Sequence, residues 1–256
     1  MSLLGTGCRR VLITGATSAI GAALADLYAE MGVRLYLHGR NEARLAEVAE
    51  RCRTQGAEVQ TQRLDVRDFP ALRGWLQALG PLDLVIVNAG MNAHIGPAGE
   101  PEPLDEVDAL LDVNLKAAMH IVQAVLPGMR AQGHGQIALL SSLAGYFGLP
   151  VTPTYCATKA GLKAYGEALR GWLAPQGIRV SVIMPGYVKS PMCDEMPGPK
   201  PFLWSPQRAA AAIRRGLERD RARISFPFPL NLGSWFLAVL PAGMSIRIVR
   251  WLGYGA

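Results

Sequence analysis

Short apolar runs alternate with stretches of helical spacing along most of the chain. Residues 10–14 (R-V-L-I-T) are apolar and rich in β-branched side chains, which predicts a buried strand. A turn of small residues, 15–21, follows. Apolar positions at Leu24, Leu27, Tyr28 and Met31 then recur at helical spacing up to a stop at Gly32. The alternation continues with predicted strands at 33–38, 59–64, 82–87, 137–140, 178–184 and 222–226. Between them fall a helix opened by Asn41, one over 69–79, a long one over 103–131, one carrying Tyr155 to about residue 173, and one over 207–219. Pro127 and Gly128 near the end of the long helix predict a bend or a stop there. Strand and helix in regular turn predict an α/β fold, a doubly wound parallel sheet of about seven strands with helices on both faces.

No linker or repeat interrupts the series, so residues 1–256 read as one domain. Two stretches depart from the alternation. Residues 187–206 are proline-rich and read as a loop, a mobile substrate lid. Residues 227–256 form an apolar, interrupted C-terminal extension. Its run 230–240 ends at Pro241 and is too short to span a bilayer, which takes about 20 residues. The extension reads as a segment packed over the substrate pocket or a subunit interface. A second reading is an interfacial membrane contact helped by Arg247 and Arg250.

Composition narrows the classes. With 50% hydrophobic and 18% charged residues the chain can bury a full core, and disorder is not expected. A net charge of +6 is a mild surplus, concentrated near residues 208–223 and 247–250. There is no zinc spacing and no aromatic-basic motif, so nucleic acid is not an expected partner. Cys8, Cys52, Cys156 and Cys193 are widely separated without a C-x-x-C pair, which suits reduced thiols in a cytoplasmic protein and no metal site. The N-terminus lacks a signal-peptide pattern. His38, His94, His120 and His134 have no metal-ligand spacing, and His94 stands where it could border a substrate.

The candidate chemistry lies at Tyr155 and Lys159, four residues apart and so on one helix face. An ammonium beside a phenol is expected to lower a pKa that otherwise sits near ~10. A phenol so tuned can exchange a proton with a substrate oxygen. The plainer alternative is an amphipathic helix that carries one Tyr and one Lys. The strand, small-residue turn and helix across 10–31 would point free backbone N–H groups and a positive helix end at a phosphate. At the end of the second strand the sequence reads His38, Gly39, Arg40, Asn41, with no carboxylate to take a ribose 2′-hydroxyl. Arg40 could contact a 2′-phosphate, with Ser18 adding a hydroxyl, so NADP(H) is the expected cofactor and NAD(H) the alternative. The lesser alternative is that Arg40 is a solvated residue at a helix start.

These pieces accumulate into a set: Thr14, Gly15, Ala19 and Gly21 in the turn; Asp65 with Val66; Asn88, Ala89 and Gly90; Asn114; Ser142; Tyr155 with Lys159; and Pro185 with Gly186. Taken together, over residues 10 to about 226, the chain resembles the short-chain dehydrogenase/reductase family, a Rossmann-type fold of about 250 residues. The resemblance implies hydride transfer between a nicotinamide and a ketone, aldehyde or secondary alcohol. Tyr155 would be the proton donor, Ser142 would hold the carbonyl oxygen, and Lys159 would tune Tyr155 and bind the nicotinamide ribose. Asn114 would anchor a water linking Lys159 to solvent, unless it is a satisfied buried amide. Gly15, Thr17, Ser18, Ile20 and Gly21 would take the pyrophosphate side and Asp65 and Val66 the adenine. Asn88, Ala89 and Gly90 would lie along the adenosine ribose, and Pro185, Gly186, Val188 and Ser190 near the nicotinamide.

Two departures stand out. Ala19 replaces the family's second turn glycine, a methyl that would crowd the pyrophosphate if the site needs positive φ or very close approach. Ser190 stands where the family often has Thr. Of Ser141 and Ser142, strand alternation favours Ser142 as the catalytic one. Tyr187, Met192, Phe202, Trp204 and Phe147 would wall an apolar substrate pocket. Cys156 reads as a small core residue. The resemblance further implies a homodimer or homotetramer through the helices carrying Asn114 and Tyr155. Two other functional readings are a non-catalytic dinucleotide sensor or scaffold and a sugar-nucleotide epimerase or dehydratase. The latter would ordinarily carry G-x-x-G-x-x-G and a larger C-terminal domain, which this chain lacks.

Overall fold

A computed structural model describes residues 9–96 and 98–254. Cys8, the N-terminal stretch and residues 255–256 lie outside the described residues. Strands β1 (Arg9–Ile13), β2 (Val33–Gly39), β3 (Glu58–Arg63), β4 (Leu84–Val87), β5 (Gly135–Leu140), β6 (Ile178–Pro185) and β7 (Arg223–Phe226) form one seven-stranded sheet. Its order is β3-β2-β1-β4-β5-β6-β7, and every pairing is parallel. The winding reverses between β1 and β4. Beyond the carboxyl ends of those two strands a crevice opens, because their following connections leave in opposite directions.

The inner strands are apolar on both faces through their central residues because both faces are covered. On β1, Val11 and Ile13 face one layer and Leu12 the other. The first layer packs α1 (Ala19–Tyr28), α2 (Glu42–Thr54) and α8 (Pro206–Glu218) through Leu24, Leu45 and Ile213. The second packs α3 (Phe69–Ala78), α5 (Ala117–Gln132) and α6 (Pro153–Leu173) through Leu72, Ile121 and Leu162. Strand β3 is the edge and the exception, with polar residues at most positions. Ser18, Asn41, Asp68 and Ser205 cap α1, α2, α3 and α8, each side chain accepting a backbone N–H from the first turn.

The predicted elements fall where expected, with three differences. The long helix is α4 (Leu104–Leu110) and α5 joined by a wide π turn, Leu111–Lys116, which carries Asn114. Pro127 does not end α5, which runs on to Gly133 at φ 72°. The stretch Leu104–Gln132 is long and apolar enough to cross a membrane by length and composition. Its apolar side, at Ile121, Val122 and Leu126, is buried against the sheet. Inside the proline-rich loop lies a short helix α7 (Pro191–Glu195), and the C-terminal extension folds into α9 (Leu230–Val239) and α10 (Ala242–Val249).

Candidate active site

The glycine-bearing turn after β1 is pressed against the end of β4. Gly15 has φ +65°, and a Cβ there would lie 2.8 Å from Ala89 Cα. A Cβ on Gly21 would lie 2.2 Å from the Gly15 carbonyl oxygen, so neither position admits a side chain. Asn88 ties the two loops together. Its Nδ2 donates to Thr14 O and Gly15 O at 2.9 Å and to Ser18 Oγ at 3.1 Å, while its N–H donates to Thr14 Oγ1 at 3.1 Å. Ser18 Oγ also accepts Gly21 N at 3.1 Å, opening α1. Ala19 is not in the left-handed region, so its methyl carries no backbone strain. The crowding expected from a positive φ does not arise.

His38, which composition and spacing left without a role, belongs to this cradle. It is buried, with Nε2 2.9 Å from Leu64 O and Nδ1 accepting Gly15 N at 3.4 Å. Burial pushes its pKa down, which suits a neutral ring with its proton on Nε2. The residue therefore fixes the turn through the second strand. The clue in the sequence was a histidine at the last apolar position before Gly39. Gly39 itself lets Thr17 approach, since a Cβ there would meet Thr17 Cγ2 at 2.8 Å. This puts Thr17 and Ser18 beside the end of β2, where Arg40 is exposed. Asp65 stands near them. Arg67 grips its carboxylate at 2.7 Å and holds it below the usual carboxylate range, with a smaller push from Arg40. Val66 is buried, and Ile20 packs partly buried against the core.

The reactive end lies at β5 and α6. Ser141 Oγ donates to Lys159 O at 2.7 Å and is buried, so this hydroxyl fastens α6 to the sheet. Ser142, on the other side, accepts Ala144 N at 3.1 Å and lies near enough to the Tyr155 phenol to lower its pKa. Lys159 is buried and its Nζ donates to Leu140 O at 2.9 Å. Gly145 allows the close packing of α6, because a Cβ there would lie 2.8 Å from Lys159 O.

The direction of tuning is the reverse of the sequence expectation. Burial pushes the Tyr155 phenol up to about 12, and the hydrogen bond from Ser142 is what pulls it down. Lys159 is set beside the ring of Tyr155. Its Nζ stands 5.5 Å from the Tyr155 ring centroid, and burial lowers its own pKa to about 8. An amine that is itself desolvated and turned to a carbonyl stabilises the phenolate little.

Asn114 is fully buried and bonds both backbone groups of Met91. Oδ1 accepts Met91 N at 2.9 Å, Nδ2 donates to Met91 O at 2.9 Å, and Nδ2 reaches Thr158 Oγ1 at 3.2 Å. It thereby clips the Asn88-Ala89-Gly90 loop to α6, and the π turn is the local widening that aims it there. A Cβ on Gly90 would sit 3.2 Å from Asn114 Oδ1 and 3.5 Å from Lys159 Nζ, so this glycine lets three elements converge.

The far wall comes from the end of β6. Gly186 N donates to Phe226 O at 2.7 Å, and a Cβ there would meet Pro227, Leu230 and Leu143 within 3.2 Å. The loop 187–206 is tied at its base by a bridge between Val188 and Trp204. Trp204 stacks on Phe226 at 4.9 Å between centroids, which anchors the loop. Ser190 caps α7, accepting Cys193 N at 3.1 Å. Tyr254 reaches back from the C-terminus. Tyr187 donates to its hydroxyl at 2.9 Å, and that hydroxyl donates to Pro199 O at 2.6 Å. Cys156 is buried with its thiol pushed up by burial, which fits a core residue.

A crevice at a strand-order reversal, a side-chain-free cradle at a helix start, and Ser142 after β5 facing Tyr155 and Lys159 of α6 are features of a dinucleotide-dependent oxidoreductase. The short chain dehydrogenase family model matches residues 9–199. The chain belongs to the short-chain dehydrogenase/reductase family, whose members act on CH–OH groups. It is 35% identical over 237 residues to an uncharacterised oxidoreductase of Myxococcus xanthus, covering 91% of this chain and 93% of that one. It is 34% identical over 254 residues to a 3-dehydrosphinganine reductase of Arabidopsis thaliana, covering 95% and 76% respectively. Among solved structures, a short-chain dehydrogenase from Sphingobium yanoikuyae in complex with NADPH superposes with a TM-score of 0.80. That pair shares 26% identity over 94% of this chain and 95% of the other.

Proposed function

We propose that the protein is an NADPH-preferring reductase of ketones or aldehydes carried on apolar substrates. The observation that carries this is the meeting of the Ser142 and Tyr155 hydroxyls beside Lys159 at the end of β5. The cradle fits a dinucleotide, because side chains at Gly15, Gly21 and Gly90 would fill it. Gly15, Thr17, Ser18, Ile20 and Gly21 would take its pyrophosphate side, and Asp65 and Val66 its adenine. Asn88, Ala89, Gly90 and Lys159 would line its riboses, with Pro185, Gly186, Val188 and Ser190 at the far end. When bound, the nicotinamide supplies the hydride.

The chain's own residues handle the oxygen. Ser142 holds the carbonyl oxygen in line. Tyr155, kept protonated by burial at neutral pH, donates its proton to that oxygen as negative charge develops there. A protonated phenol suits reduction better than oxidation. Preference for the phosphorylated dinucleotide rests on Arg40, the residue after β2, with Thr17 and Ser18 beside it and no carboxylate following the strand. A homodimer or homotetramer through the helices bearing Asn114 and Tyr155 belongs to the same reading. The test is a paired titration with NADPH and NADH, then a carbonyl screen at saturating nucleotide. Tighter NADH binding overturns the Arg40 assignment. Nucleotide binding without turnover over a broad carbonyl panel favours a sensor.

A further inference from the structure

The C-terminal extension is unusual for a surface in water. Helix α9, L-N-L-G-S-W-F-L-A-V, has no charged side chain and no buried residue. Leu232, Trp235, Phe236 and Val239 on it are 45–58% exposed, and Trp251 beyond α10 is 84% exposed. Apolar side chains scattered singly on a surface need no explanation, but a whole uncharged helix of them does. Residues 227–256 contain no Asp or Glu, and their only charges are the exposed Arg247 and Arg250.

The patch begins at the catalytic side. Leu230 reaches within 3.0 Å of where a Gly186 Cβ would stand, in the wall that Leu143 shares just after Ser142. From there a groove of about 540 Å³ runs outward between Phe202 of the loop and Leu232 and Phe236 of α9. Its lining is almost wholly carbon.

We infer that α9, α10 and the tip of the 187–206 loop form a docking surface for an anionic lipid bilayer, set at the mouth of the substrate site. The choice of a bilayer over a second copy of the chain follows from charge. Self-association of this face would bring like arginines together with no acid from the extension to meet them, whereas an anionic headgroup layer meets them directly. Tryptophans flanking an aliphatic helix are suited to the boundary between headgroups and acyl chains. A ten-residue helix lies in that boundary and does not cross it. Resting on the reductase reading above, the placement further assigns the substrate class: a long-chain carbonyl compound that enters from the lipid phase along the groove.

The test is co-sedimentation of the full chain with phosphatidylcholine vesicles, with and without phosphatidylglycerol. The expected result is stronger binding when phosphatidylglycerol is present. Arg247→Ser and Arg250→Ser should each weaken it about fivefold. Trp235→Glu with Trp251→Glu should remove binding to both vesicle types, with turnover of a short water-soluble ketone and the circular dichroism spectrum unchanged. No sedimentation of the wild type with either vesicle overturns the docking surface. So does a drop in solution mass caused by the tryptophan variants without vesicle binding, because that assigns the face to a second copy. Absent short-ketone turnover in a wild type that still binds vesicles overturns the reductase reading alone.

Discussion

Lys159 Nζ donates to the carbonyl oxygen of Leu140 at 2.9 Å, so the last residue of β5 sets where the amine stands. With Ser141 Oγ bonding Lys159 O at 2.7 Å, the residue is held at both its backbone and its side chain by one strand end. The amine thus faces the cradle side of Gly90 and stands 5.5 Å from the centre of the Tyr155 ring. Its contribution is placement of a cation in the crevice. Burial makes the phenol less acidic, and Ser142 offsets part of that.

This arrangement has a signature in stability against pH. Lys159 has a folded pKa of about 8, below its ordinary unfolded value near ~10.5. Between those values the unfolded chain binds a proton that the folded chain has released, so stability rises with pH through the window. Below pH 8 the cost of burying the ammonium is fully present. Other groups titrate in the same range, so the difference between wild type and Lys159→Met isolates the effect. Urea midpoints at pH 7 and pH 9.5 should show the variant gaining most at pH 7, with the gap narrowing by up to ~1.4 kcal/mol per pH unit above the folded pKa. A gap independent of pH would refute the assignment.

Tyr155→Phe removes the proposed proton donor and leaves the cradle intact. Turnover should fall by about 10²- to 10⁴-fold, while the NADPH dissociation constant stays within a few-fold of wild type. Stopped-flow hydride transfer with a fluorescence titration of the nucleotide separates the two quantities. Because burial holds the phenol near 12, the reduction rate should also keep its acid well past neutral pH. Turnover in the phenylalanine variant equal to wild type would leave Tyr155 without a catalytic role.

The fold was largely legible because a parallel sheet covered on both faces writes each strand as an apolar run, as at Val11, Leu12 and Ile13. The family motif pieces could be picked out because most are small or polar residues at strand ends or on a helix face, out of step with the apolar pattern around them. What was hidden depends on contacts between distant segments. His38 looks like any histidine until Leu64 and Gly15 are seen beside it. The π turn at Asn114 leaves helical periodicity almost unbroken. Spacing along a helix brings Lys159 near Tyr155 without saying which way its amine points, and it points to Leu140 O. The stacking of Trp204 on Phe226 is hidden because the two rings lie on different elements.

Asn114 offers a test of the clip between the nucleotide loop and α6. Asn114→Leu keeps the volume roughly but strands Met91 N and Met91 O, which the amide satisfies at 2.9 Å each. Leaving buried polar groups unpaired costs about 1–3 kcal/mol apiece, so chemical denaturation should show a loss of at least that size. Hydrogen exchange at Met91 should accelerate with it. Asn114→Asp keeps an acceptor for Met91 N and should lose less exchange protection there. Equal loss in both variants would mean that the acceptor half of the clip does not matter.

Tyr254 closes the loop from the opposite end of the chain. Its hydroxyl accepts from Tyr187 at 2.9 Å and donates to Pro199 O at 2.6 Å, and its ring packs at 3.2 Å from the position a Gly198 Cβ would take. Tyr254→Phe keeps the ring and deletes both hydrogen bonds. Each is worth about 1 kcal/mol net, so the tied form of the loop should become roughly five- to thirtyfold less favoured. The loop is also fastened at Val188 and Trp204, so the variant should remain folded with its melting temperature little changed. The effect should appear as faster proteolysis within 196–201 and a higher KM for bulky ketones, because the loop borders the groove at Phe202. The rate constant kcat should change little, since neither hydrogen bond touches Ser142 or Tyr155. A variant with unchanged proteolysis and unchanged KM would show that the tyrosine pair does not hold the loop closed.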